Sequence, residues 1–143
     1  MKAPLVKLQL VREAQFSYLR MTCAREIAHV VGEITAGNFD ESFYAVALDA
    51  KNRIVHVYPS AKGTNSNVVV NIGDLFRAAL IAGASGIATV HNHPSGDPSP
   101  SVEGRQLTVR VKQASDLLGV RYVDNIVVGE NGSYWSASEK GEM

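Results

Sequence analysis

Apolar residues recur along this chain with two periods, and the alternation between the periods lays out its elements. From 22 to 36 the positions Cys23, Ile27, Val30, Val31 and Ile34 fall on one helical face. Thr22 is placed to cap that helix and Gly37-Asn38 to end it. Residues 42–49 (SFYAVALD) are apolar on both faces, as a central buried strand requires. Asp49 to Asn52 reads as a turn, Arg53 to Tyr58 as the returning strand and Pro59 to Asn67 as a polar loop. A second helix is predicted over 72–83, capped by Asn71, with Ile72, Leu75, Phe76, Ala79, Leu80 and Gly83 in register. Residues 86–91 form a short buried strand. Residues 92–100 (NHPSGDPSP) carry three prolines and a glycine and exclude regular structure. Ser101 to Gly119 is a third helix striped by Leu107, Val111, Ala114 and Leu118. Val120–Gly129 and Ser133–Ala137 close the pattern as strands.

Strands and helices interleave, so the fold class is α/β: a mixed central sheet flanked by helices. The 143 residues suit one domain with its own core, and residues 1–21 ahead of it read as an arm or edge strand. Lys+Arg and Asp+Glu balance at 14 each, which removes the electrostatic footprint of a general nucleic-acid or membrane binder. The basic tint of Arg105, Arg110, Lys112 and Arg121 reads as a solvated helix face, with no stacking aromatics between them. A single cysteine excludes an intrachain disulfide, and no secretory or membrane-spanning run is visible, so a cytoplasmic protein is expected. Cys23 reads as a small buried residue, His56 as solvent-facing, His29 as structural or exposed, and Tyr134 and Trp135 as closing a core edge or an interface.

The chemistry lies in His91-Asn92-His93-Pro94. Residues i and i+2 of a strand point to one side, so two imidazoles converge where the strand leaves the sheet. Imidazole suits zinc, at a nitrogen–metal distance of about 2.0–2.1 Å. Alone, such a pair fits exposed or hydrogen-bonded histidines equally well. Ser101 is a natural N-cap for the next helix, whose N-terminus favours anionic groups. Glu41, following Asp40, reads on its own as part of a solvated acidic turn.

The stretch GIATVHNHPSGDPSPS resembles the signature of the RadC-like branch of the JAB/MPN superfamily. VALDAKNRIV at 46–55, GVRYVDNIVVG at 119–129 and YWSASEKG at 134–141 extend the resemblance from about residue 22 to the C-terminus. It implies a JAB/MPN (cytidine-deaminase-like) topology for 22–143 and a JAMM-type zinc hydrolase cutting a peptide, isopeptide or related amide bond. It gives His91 and His93 as metal ligands, Ser101 as the oxyanion-stabilising hydroxyl and Glu41 as the general acid/base. A protein or peptide substrate and one Zn2+ ion follow, with a possible homo-oligomer, since MPN domains often pair. Longer members of the family carry a helical region ahead of this domain. The roughly 20 residues here leave no room for one, so a stand-alone or trimmed domain is expected.

The family has an Asp ligand where this chain has Gly104, which offers no side chain to a metal. A catalytic zinc usually keeps three protein ligands and one open position. Asp97 in the same loop, Glu103 one helical step of about 100° away, or a second chain are the sources left for a third. Asp124 matches a family position that His follows, and Asn125 stands there instead. The alternative function is a non-catalytic pseudoenzyme acting as a binding or scaffold domain, with an association with DNA repair. A zinc deaminase is set aside, because its Pro-Cys-x-x-Cys pair has no counterpart.

Overall fold

β1 (Ser42–Leu48) and β3 (Gly86–Asn92) are buried along their whole length, and their position explains it. They lie inside a five-stranded sheet of order β2-β1-β3-β4-β5, with β2 (Ile54–Lys62), β4 (Arg121–Val128) and β5 (Tyr134–Ser136) outside them. β1 runs antiparallel to both β2 and β3, β3 and β4 are parallel, and β5 returns antiparallel to β4. The parallel step needs a crossover, and α3 (Val102–Leu118) supplies it. The computed structural model describes residues 2–11, 23–36, 39–62 and 70–143. The mixed sheet flanked by helices is the architecture expected from the pattern.

Each face of the sheet has its own core. On one, Ile27, Ala28 and Val31 of α1 (Ala24–Thr35) pack on Val46, Leu48, Val90, Ile126 and Val128. On the other, Leu75 and Phe76 of α2 (Ile72–Ile81) and Val111 of α3 pack on Phe43, Ala45, Ala47 and Ile87. Each fully buried Leu, Ile, Val or Phe contributes roughly 1.5–3 kcal/mol. Helix ends follow the predicted chemistry. The side chain of Asn71 accepts the Asp74 N–H at 2.9 Å, that of Ser101 accepts the Gly104 N–H at 3.0 Å, and Gly119 closes α3 in the left-handed region at φ 70°.

Several expectations fail for physical reasons. Cys23 is exposed: it occupies the extended N-cap position of α1, off the apolar face. His56 turns inward, and its Nε2 lies 3.0 Å from the Ala78 carbonyl. The register slips between Ala47/His56 and Leu48/Ile54, so Val55 is an extra residue that resets the alternation. Pro59 does not end β2, because on an edge strand its missing N–H can face solvent. Leu118, placed on the buried stripe of α3, is 44% exposed. Of the two alternatives for residues 1–21, an arm or an edge strand, the described residues 2–11 form no strand and lie exposed, which leaves the arm reading standing. Thr22 and Gly37-Asn38 lie outside the described residues.

Candidate metal centre

Antiparallel pairing brings the start of β1 to the end of β3. Phe43 stands opposite His91, and continuing that register sets Glu41 beside His93. The His91 and His93 Nε2 atoms are 3.2 Å apart, and each lies 3.9 Å from Glu41 Oε1. Among the described residues these three are the only group of His, Cys, Asp or Glu side chains placed to hold a metal ion.

The donors are prepared for such an ion. His91 is buried and stacked on Phe43. Burial first, and the neighbouring His93 second, push its pKa down to about 3, so its ring is neutral at neutral pH. Among the described residues its Nδ1 has no hydrogen-bond partner, and on that side the stack on Phe43 holds the ring. The Asp97 carbonyl oxygen, 2.9 Å from His93 Nδ1, can only accept, so it favours the tautomer with the N–H on Nδ1 and the lone pair on Nε2. Two nitrogens bound to one tetrahedral ion should lie about 3.3 Å apart, and the observed 3.2 Å fits. The same spacing permits a hydrogen bond between the rings when the His91 Nε2 carries a proton. The Glu41 carboxyl is partly buried, and desolvation raises its pKa against the lowering effect of His93.

One residue of this construction escaped the sequence reading. Asn92, the spacer between the histidines, points away from them and grips the chain on both sides of Glu41. Its Oδ1 accepts the Ser42 N–H at 2.7 Å, and its Nδ2 donates to the Asp40 carbonyl at 3.2 Å. Strand alternation was the available signal, since a polar residue pointing away from the two histidines into the sheet has to find a partner inside.

The loop after β3 is fastened to the turn between β4 and β5. The His93 N–H donates to the Val128 carbonyl at 2.9 Å, and the Glu130 N–H to the Gly96 carbonyl at 3.1 Å. A groove of about 730 Å³ runs beside His93, between Arg25 and Gly32 of α1 and Gly129 and Glu130 of that turn.

Ser101 sits at the start of α3, exposed, with its hydroxyl oxygen engaged by the Gly104 N–H. Gly104 adds no donor. The substitutes fall away in turn. Asp97 uses Oδ1 to accept the Ser99 N–H at 2.9 Å. Glu103 is exposed. Asp124 is buried on β4, where its carboxylate accepts from the Ser136 hydroxyl at 2.6 Å, the Ser138 N–H at 2.9 Å and the Asn125 N–H at 2.8 Å. Asn125 joins a polar chain through Thr89, Tyr122 and Thr108 that ends at the Gly104 carbonyl.

Residues 21–142 match the sequence profile of the RadC-like JAB domain. The chain belongs to that family. RadC-like relatives include a UPF0758 protein of Thermotoga maritima, 44% identical over 98 residues, covering 68% of this chain and 44% of that protein. A UPF0758 protein of Caldanaerobacter subterraneus is 32% identical over 133 residues, covering 93% of this chain and 57% of its own length. One from Staphylococcus haemolyticus is 31% identical over 123 residues, covering 86% of this chain and 54% of its own. The RadC-like domain thus spans about half the length of these relatives. No helix among its described residues is long and apolar enough to cross a membrane.

Proposed function

We propose that this RadC-like domain is a zinc-dependent hydrolase of a peptide, isopeptide or related amide bond. The observation that carries the reading is the convergence of Glu41, His91 and His93 within reach of one ion. Bound there, zinc would lower the pKa of a water towards about 7 and polarise the scissile carbonyl. His91 and His93 hold it through neutral Nε2 atoms. Glu41 accepts the proton of the attacking water as its oxygen bonds to the carbonyl carbon, then delivers that proton to the nitrogen as the C–N bond breaks. Its raised pKa suits a group that must both take and return a proton. The Ser101 hydroxyl oxygen accepts the Gly104 N–H, so its own proton is left to face the developing oxyanion. The groove beside His93 accommodates an extended peptide segment of the substrate.

Gly104 favours a second reading, a binding domain that kept the fold without turnover. Elemental analysis of untagged, zinc-supplemented protein, followed by mass spectrometry of a peptide and isopeptide library, separates the two. The hydrolase reading expects close to one zinc per chain, lost in His91→Ala, and metal-dependent cleavage. Metal-free protein after supplementation overturns it, and stoichiometric zinc without cleavage favours the binding domain.

A further inference from the structure

We propose that Glu41 is itself the third metal ligand of the resting site, in the place left by Gly104, and that it must leave the ion to act as proton acceptor. The proposal rests on the metal-site reading above and adds to it a competition between holding the metal and activating water.

Three observations carry it. First, elimination: the carboxylates of Asp97 and Asp124 are committed to other donors, and Glu103 faces solvent. Glu41 is the one acidic residue within ligand range of both histidines among the described residues. Second, distance: a triangle with sides of 3.2, 3.9 and 3.9 Å has its centre about 2.1 Å from each corner. Zinc–nitrogen and zinc–oxygen bonds have lengths of about 2.0–2.2 Å. A carboxylate placed only to touch a bound water need not meet that condition. Third, strength: adjacent ligands of a tetrahedral zinc should lie about 3.3–3.4 Å apart, and the 3.9 Å separations exceed this. Glu41 therefore reaches the ion only in a flattened arrangement, and a ligand held that way is readily exchanged for water. Asn92 fixes the backbone at residues 40 and 42, so the exchange is a side-chain rotation of Glu41 and not a movement of the strand.

The two duties separate once position 104 carries a carboxylate. A Cβ there would meet Ser101 Oγ at 3.1 Å, a few tenths of an ångström tight but beside a side chain that can turn. Gly104→Asp then supplies a permanent ligand and frees Glu41.

The test is zinc affinity of the full chain, by competition with a chromophoric chelator, for wild type, Glu41→Gln, Gly104→Asp, the double variant and His91→Ala. Circular dichroism checks the fold, and the visible spectrum of the cobalt-substituted forms reports the ligand set. Glu41→Gln is expected to weaken binding by at least the roughly 10–100-fold that partners of a metal site command, and to change the cobalt spectrum. In the Gly104→Asp background the same substitution is expected to change affinity less than about threefold. If His91→Ala loses zinc while Glu41→Gln binds as tightly as wild type, the hydrolase reading stands and this proposal falls. If wild type binds no more zinc than His91→Ala, both fall.

Discussion

Asn92→Ala tests whether the clamp around Glu41 is structural, functional or both. The substitution removes an acceptor 2.7 Å from the Ser42 N–H and a donor 3.2 Å from the Asp40 carbonyl. The two losses are unequal. Ser42 is 2% exposed, so its N–H is left dry and unpaired, at about 1–3 kcal/mol. Asp40 is exposed, and water replaces its lost partner at little expense. A net loss of about 2 kcal/mol lowers the melting temperature of a domain this size by roughly 8 °C. A purely structural role ends there. If the clamp also aims Glu41, zinc affinity drops in Asn92→Ala but not when the substitution is added to Glu41→Gln, because no carboxylate remains to be aimed. Thermal unfolding in the presence of chelator gives the first number and chelator competition the second. A melting temperature within about 1 °C of wild type refutes the packing argument, and equal affinity losses in both backgrounds refute the aiming argument.

The remaining expectations concern neighbouring parts of the same scaffold. Below about pH 6.5 His91 binds a proton in the unfolded chain but, with its folded pKa near 3, not in the folded one. Its contribution to stability is therefore whole above pH 6.5 and declines as pH falls towards 3, by about 1.4 kcal/mol per unit. In metal-free protein, denaturant titrations of wild type and His91→Gln should converge along that slope between pH 6.5 and 5, and a constant difference would count against it. Asp124→Ala strands the donors of Ser136, Ser138 and Asn125 and should cost about 3 kcal/mol by urea unfolding, whereas a loss under 1 kcal/mol would mean that water replaces the carboxylate. At Gly129 a Cβ would collide with the Gly96 carbonyl oxygen and with Ser133 Oγ. Gly129→Ala should push the loop of His93 off the β4–β5 turn, costing about 1–3 kcal/mol and weakening zinc binding. Unchanged affinity would separate that loop from the metal site.

The sequence made the sheet legible where burial is two-sided. β1 and β3 are uninterrupted apolar runs, and a run of that kind has few places to go but the middle of a sheet. The histidine pair was legible for the same reason, since a two-residue period fixes direction without knowledge of neighbours. What depends on pairing was not. Glu41 looks like part of an acidic turn until the Phe43–His91 register carries it to the end of β3. Edge strand β2 misled at both ends, because His56, paired with Ala47, lies on the face that α2 covers and Pro59 sits where a proline breaks nothing. The partners of Asn92 carry no signal in the sequence because they are about 50 residues away in the chain.

Position 104 is where fold and chemistry come apart. It is the third residue of α3, and both of its backbone groups are satisfied without any side chain of its own. Its N–H donates to Ser101 Oγ at 3.0 Å, and its carbonyl accepts from the Thr108 hydroxyl at 2.9 Å. Thr108 is held in turn by Asn125, and Asn125 by Thr89, two residues before His91. The start of α3 is thus tied to the strand that carries His91 through side chains other than residue 104. Glycine there costs the helix at most about 1 kcal/mol, too little to unfold a domain with a core on both faces of its sheet. Glycine at 104 therefore leaves the scaffold standing, and if the ligand proposal holds, the carboxylate that completes the site beside His91 and His93 is that of Glu41.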